Sequence, residues 1–266
     1  MLKVLFIGDI VGRIGREAIA EVLPKLKKEK KINIVIANAE NSAHGSGITE
    51  RIIEELESYG IDYFTIGDHA LRRKKQAGLY GLQNIVRPAN FPPDVPGQGY
   101  CLIPVDGKNI LLINLIGRVF MRADYDCPFR KLDEILANVD LQANNIFAII
   151  IDMHAETTSE KVALMHYADG RVSAVLGTHT HVKTADEQIT DKGTAFITDV
   201  GMVGAGDSSL GIAKEGAIRT FLTQIRETHI IPKAGKAIFN SVLLTINIKS
   251  AKVLAIKSIT KNIIIN

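Results

Sequence analysis

The chain of 266 residues is poor in the features that mark secreted, membrane-bound or nucleic-acid-binding proteins. It has two cysteines, Cys101 and Cys127, which form no C-x-x-C. That spacing supplies neither a disulfide framework nor a thiolate zinc site, and a reducing cytoplasm is the expected compartment. No apolar run approaches the ~20 residues that span a bilayer. The opening stretch MLKVLFIGDIVG is apolar for only a few residues and lacks a small-residue cleavage pattern, so it reads as a first strand rather than a signal peptide. Charge of one sign is not in excess either. Lys and Arg number 32 against 29 Asp and Glu, a formal net charge of +3. An anionic substrate is allowed, but no stable nucleic-acid complex is expected, because such surfaces need clustered basic residues. The one basic cluster, Lys25 to Lys31, falls at a helix end, where positive charge complements the dipole. Internal repeats, low-complexity segments and linker-like stretches are absent, so one domain over residues 1–266 is expected.

What the sequence does contain is an ordinary globular composition, 46% hydrophobic and 23% charged, with short apolar runs that each end in polar residues. Gly177-Thr178-His179-Thr180-His181 follows the run Val172 to Leu176, which reads as a buried strand ending in a loop. Two histidines at i and i+2 are either metal ligands or surface loop residues. Leu2 to Ile7 is a strand ending at Gly8-Asp9. Asp9 sits where open α/β sheets place their sites, although an Asp can equally cap the next helix. Ile32 to Ala37 ends in Asn38-Ala39-Glu40-Asn41, which is a cation-binding group or an Asx turn. Asp62 to Ile66 ends in Gly67-Asp68-His69, and His69 can be a ligand, a general acid or a surface histidine. Ile146 to Ile151 runs into Asp152-Met153-His154.

Helices are expected over Gly15–Lys30, with a kink or break at Pro24, and from Thr49 to about Tyr59, where Gly60 ends the helix. Further helices are read over Leu71–Tyr80, Arg130–Ala137, Ser159–Tyr167 and Lys214–Thr223. Tyr100–Val105 and Asn109–Ile116 are strands joined by the turn Asp106-Gly107. Arg118 follows the second of these and suits either a phosphate oxygen or a surface salt bridge. Thr194–Ile197 is another strand. The tail, Ala237–Ile248 and Val253–Ile264, reads as a long hairpin finishing a second sheet. A dinucleotide loop does not fit, because Gly8, Gly12 and Gly15 are spaced G-x-x-x-G-x-x-G rather than G-x-G-x-x-G.

The recurrence of acids, amides and histidines at strand ends gives the candidate set Asp9, Glu40, Asn41, Asp68, His69, His154, His179 and His181. Hard oxygen donors mixed with imidazole, without thiolate, suit iron, manganese or zinc better than calcium or magnesium. There are more donors than one tetrahedral ion needs, so a pair of ions bridged by Glu40 is the economical reading. Paired ions ~3.5–4 Å apart are a recurring device for phosphoester hydrolysis.

The motifs GDIVG, NAEN, GDH, RPANFP, INLIGRVFM, DMHAETTSEK, GTHTHVKTAD and ITDVGM resemble the YmdB-like branch of the calcineurin-like metallophosphoesterases, from Leu2 to about Gly206. The resemblance implies an α/β fold, a four-layer α-β-β-α sandwich of two mixed sheets flanked by helices. It implies a two-metal phosphodiesterase acting on cyclic nucleotides, notably 2′,3′-cyclic nucleoside monophosphates, through a metal-bridging hydroxide. Carried over motif by motif, Asp9, Glu40, Asn41 and His181 would hold one ion. Glu40, Asp68, His154 and His179 would hold the other, with His69 as proton donor and Arg118 a substrate contact. Fe or Mn would be the ions, with Zn an option, and the family tendency implies a homo-oligomer. The competing expectation is a regulatory protein that keeps the metal site without turnover. The chain departs from the family at Asp68, where Asn is usual, and at Ala70-Leu71-Arg72, which lacks the usual tryptophan and acid.

Overall fold

The computed structural model describes residues 1–69, 79 and 81–266; the helix expected over Leu71–Tyr80 and the Ala70-Leu71-Arg72 departure lie outside them. In chain order the first part comprises β1 (Leu2–Ile7), β2 (Asp9–Ile10), α1 (Gly12–Lys30), β3 (Ile34–Asn38), α2 (Glu50–Ser58), β4 (Tyr63–Thr65) and β5 (Ile85–Val86). The middle supplies β6 (Tyr100–Val105), β7 (Lys108–Ile116), α3 (Pro128–Asn138), β8 (Ile146–His154), α4 (Thr158–Ala168) and β9 (Ala174–Thr178). The remainder is β10 (Gln188–Ile189), β11 (Ala195–Ile197), β12 (Met202–Ala205), α5 (Lys214–Thr223), β13 (Gly235–Asn247) and β14 (Lys252–Ile265).

These strands form two mixed sheets. One has eight strands in the order β2-β12-β13-β1-β3-β4-β5, with β14 on the far edge of β13; the other has six, in the order β10-β11-β9-β8-β7-β6. Strand periodicity sorts the side chains between layers. Leu5, Ile7 and Val35 face Ile14, Ala18 and Ile19 of α1 and Ile53 of α2. Their neighbours Val4, Phe6, Ile34 and Ile36 meet Ile110, Leu112, Ile150 and Leu176 of the other sheet. The outer face of that sheet, with Leu111, Ile113, Ile149 and Ile151, packs on Leu132 of α3 and Leu164 of α4. Three apolar interfaces therefore separate four layers, helix, sheet, sheet and helix.

Three expectations need correction. Pro24 does not break α1, which runs through it. Its side chain is exposed, on a face where water can satisfy the carbonyl one turn earlier. The second and third strands start later than read: just before them the Asn33 and Asp62 side chains accept the N–H groups of Lys3 in β1 and Val35 in β3, tying each strand's entry to its neighbour. The C-terminal hairpin belongs to the sheet that contains β1: β1 pairs with Ser241–Ile246, β12 with Ala237–Phe239, and β14 runs along the opposite edge.

In each sheet a parallel core, β1-β3-β4 and β7-β8-β9, directs its carboxyl ends to one side of the molecule. Every polar strand end singled out from the sequence lies on that side.

Candidate metal centre

Asp9 follows β1 at the start of β2, Glu40 and Asn41 follow β3, and Asp68 and His69 follow β4. His154 ends β8, and His179 and His181 follow β9. The two sheets thus each contribute one side of a single cluster. Glu40, Asp68, His154 and His179 each offer a ligand atom, all within 4.8 Å of one another. His154 Nε2 lies 3.1 Å from Glu40 Oε1 and 3.6 Å from Asp68 Oδ1, and His179 Nδ1 lies 3.0 Å from His154 Nε2. This close approach needs Gly67: a Cβ there would sit 2.2 Å from His154 Nε2 and 2.4 Å from Glu40 Oε2.

A second group adjoins the first through Glu40. Asn41 Nδ2 lies 3.3 Å from Glu40 Oε1 and 3.2 Å from His181 Nε2, and His181 Nε2 is 3.9 Å from Asp9 Oδ1. Asp9 Oδ2 accepts the His179 N–H at 3.1 Å. Asp9 Oδ1 is buried and accepts no hydrogen bond from any described residue. A buried carboxylate oxygen left in that state is costly unless a cation meets it. His69 packs beside both groups, its N–H on Glu40 Oε2 at 3.1 Å and its Nδ1 2.5 Å from Asn41 Oδ1.

Around these residues lies a layer that orients them, and it was not singled out from the sequence. Thr178 Oγ1 donates to Asp152 Oδ1 at 2.6 Å and stands 2.9 Å from His154 Nδ1. The one hydroxyl proton is spent on Asp152, so Oγ1 accepts from His154 Nδ1–H and the ring turns Nε2 toward Glu40 and Asp68. Asp152 is fully buried and also takes the Thr65 hydroxyl at 2.5 Å. Glu156 Oε2 is 3.1 Å from His179 Nε2, which leaves Nδ1 of that ring facing the cluster. Asp152 and Glu156 flank His154 in the motif DMHAETTSEK, but nothing in that spacing marks them as orienting groups.

The electrostatics show what the cluster demands. Burial pushes the Asp9 carboxyl up to about 6 against the pull of His181 and His154. Glu40 is desolvated too, but the charge and hydrogen bond of His154 outweigh that and hold it well below the usual range. Asp68 is also lowered: its burial is overcome by the His154 hydrogen bond. Burial opposes the charge on His154, yet Glu40 and Asp68 raise it well above its ordinary value. Burial and then His154 push His179 down to about 4. Without metal, a proton on His154 offsets one of the two charges on Glu40 and Asp68 while the neutral His179 accepts from it. A cation fits where that proton sits, and the donors are hard oxygen and imidazole with no thiolate.

The open face of the cluster is a cleft of about 290 Å³. Glu40, Asn41, His69, Glu156, His179 and His181 line its polar side, Leu210, Ile212 and Ile231 its apolar side, and His229 also borders it. Arg118 is not among the lining residues; its side chain is exposed and its N–H donates to Glu160. Among the described residues, an arginine that does approach the cluster is Arg122, whose Nε lies 3.8 Å from Asp68 Oδ2.

The profile of the YmdB-like protein family matches residues 5–259. A 2′,3′-cyclic-nucleotide 2′-phosphodiesterase of Bacillus subtilis (strain 168) is 44% identical over 262 residues, 98% of this chain and 97% of that protein. The crystal structure of a novel phosphatase from Mycoplasma pneumoniae superposes with a TM-score of 0.91 at 35% identity, covering 100% of this chain and 94% of that one. A putative 5′-nucleotidase from Staphylococcus aureus shares the fold alone, with a TM-score of 0.61 at 11% identity over 99% of this chain and 54% of that one.

Proposed function

The chain belongs to the YmdB-like family and is a metal-dependent phosphoric diester hydrolase, and from that premise we propose that it hydrolyses 2′,3′-cyclic nucleoside monophosphates at a centre of two metal ions. The observation that carries this reading is the pair of donor groups meeting at Glu40. Asp9, Glu40, Asn41 and His181 would hold one ion, and Glu40, Asp68, His154 and His179 the other. The orphaned Asp9 Oδ1 is an acceptor that such a first ion would satisfy. Two bound ions would lower the pKa of water, clamp the phosphate and neutralise developing charge. Iron or manganese, with zinc an option, suits this donor set.

The rest of the chemistry falls to the chain's own groups. His69 stands at the open face beside Glu40 and Asn41 and can hold a proton at Nε2 for the departing oxygen. Asn41 determines which ring nitrogen carries it. Ligation requires the amide oxygen to face Glu40 and His181, and a half-turn of the amide then places its NH₂ against His69 Nδ1. Nδ1 becomes an acceptor and the proton resides on Nε2. Leu210, Ile212 and Ile231 offer an apolar wall for a base, while Arg122, and Arg118 if its side chain swings inward, supply charge for phosphate oxygens.

The unpaired Cys101 and Cys127 suit the reducing cytoplasm, and no helix among the described residues is long and apolar enough to cross a membrane. A homo-oligomer fits α5, which buries none of its residues and leaves Phe221 and Leu222 85% and 79% exposed. The decisive experiment is hydrolysis of 2′,3′-cyclic AMP with Mn²⁺ or Fe²⁺, with and without chelator, on wild type and His69→Ala. Chelator-sensitive turnover that drops ~10²–10⁴-fold in the variant, at unchanged metal content, is the expected result. Bound metal without any turnover would favour a regulatory protein.

A further inference from the structure

His179 and His181 both have positive φ, 99° and 65°, in a region that residues with a side chain rarely adopt. Nothing intrinsic to either histidine holds the chain there, so the surroundings must. The residue between them is tied at two points to one carboxylate. Asp199 Oδ2 accepts both the Thr180 N–H at 3.1 Å and the Thr180 hydroxyl at 2.8 Å. The backbone of Asp199 closes the far side of the loop: its N–H donates to Thr184 Oγ1 at 3.0 Å and its carbonyl accepts the Thr184 N–H at 3.0 Å. Asp199 Oδ1 takes the Gly201 N–H at 2.8 Å.

One more donor completes the carboxylate. Lys161 of α4, fully buried, places Nζ 2.7 Å from Asp199 Oδ2. Neither residue offers an atom to the ligand cluster or borders the cleft. A buried ion pair is poor evidence of stability, because an apolar pair of similar volume is commonly as stable or more so. It does fix one carboxylate orientation, and this orientation is the one that pins Thr180. Close packing supports the placement: a Cβ on Gly177 would lie 1.7 Å from Thr198 O and 3.0 Å from Lys161 Cδ, so the strand carrying the histidines and the segment carrying Asp199 touch directly.

We propose that Lys161 and Asp199 are positioning residues whose buried ion pair, acting through Thr180, sets the strained backbone that aims His179 and His181 at the metal centre. The inference rests on the reading of this cluster as a metal site.

The test uses the full chain and Co²⁺ as the probe, read by chelator competition for affinity and by visible absorption for ligand geometry, beside the melting temperature of the metal-free protein. In Lys161→Met/Asp199→Asn the buried charges go while an amide oxygen still accepts at the loop, so the metal-free melting point should fall little, while Co²⁺ affinity falls ~10–100-fold and the absorption bands shift. Thr180→Val removes only the hydroxyl donor and keeps the ion pair, so it decides the matter if the double variant does not fold. It too should weaken Co²⁺ binding at an unchanged metal-free melting point. Wild-type affinity and spectrum in folded Thr180→Val would overturn the proposal. If wild type itself bound no Co²⁺, the metal-centre reading would be what fails, and the proposal with it.

Discussion

At the scale of single residues, Gly67 and Asp68 decide how the cluster closes. Gly67→Ala places a methyl within 2.4 Å of both His154 Nε2 and Glu40 Oε2, and both atoms belong to groups locked by burial and hydrogen bonds. The site must open, so the variant should remain folded but lose stoichiometric metal and essentially all turnover; full metal content by elemental analysis would contradict this. Asp68 poses a subtler question. Its Oδ2 has Arg122 Nε at 3.8 Å and His69 Nε2 at 3.7 Å, so its extra charge is partly matched. As the ligand proposed for it, Asp68 would still add negative charge at the ion and lower its Lewis acidity. Asp68→Asn should keep the metal and raise turnover per loaded chain by roughly tenfold or less, equivalent to about 1.4 kcal/mol or less of barrier. Unchanged metal affinity together with an unchanged rate would refute it. The residues that meet at the centre were legible because each follows an apolar run by two to five positions. Glu156, Thr178 and Asp152 were not, since an orienting hydrogen bond leaves no spacing signature. Arg122 was missed for a similar reason: its partner Asp68 comes from a distant loop, and only the folded chain shows which arginine reaches it.

At the scale of elements, hydrophobic runs and turn residues placed the long strands and most helices within a few positions. What they could not give is the two-to-four-residue strands β2, β5, β10 and β12, which are too short for periodicity and exist because neighbouring strands complete them. Nor could alternation in β13 and β14 say which sheet receives the hairpin. That choice follows from β13 pairing with β1 and β12 along one edge, a long-range contact. The crossing of these elements depends on Gly8. A Cβ there would lie 1.7 Å from Gly201 O, the carbonyl that accepts the Asp9 N–H at 3.1 Å. Backbone cannot yield as a flexible side chain can, so Gly8→Ala must part β2 from the segment leading into β12 and shift Asp9. A loss of about 2–4 kcal/mol is expected, which for a chain of this size lowers the melting point by roughly 5–15 °C. Thermal melts of the metal-free variant check it, and a melting point equal to that of wild type would show that the crossing relaxes more freely than this packing allows.

At the scale of the whole molecule, two sheets contribute the proposed ligands to one centre, so a cation bound there would tie the layers together. Glu40, Asp68 and Asp9 come from the sheet built on β1, and His154, His179 and His181 from the sheet built on β8. Binding to the native state alone stabilises it by about 2.7 kcal/mol at a hundredfold excess over Kd, which corresponds to roughly 5–10 °C in this size range. The effect should depend on pH with a definite sign. In the metal-free chain His154 holds its proton well above its ordinary value, chiefly because Glu40 and Asp68 outweigh its burial. A cation must displace that proton. Below the raised value the proton competes and affinity falls; above it the competition ends. Stabilisation by Mn²⁺ should therefore still be growing between about pH 7.5 and about pH 8.5, where an unshifted histidine would already have given up its proton. The measurement is the difference in melting point between Mn²⁺-loaded and chelator-treated protein at the two pH values, with proton release on Mn²⁺ addition followed by an indicator dye. A larger difference at the higher pH, with proton release near neutrality, is expected. Equal differences and no release would mean that His154 is already neutral, and that the two sheets meet around an empty pair of carboxylates rather than a protonated imidazole.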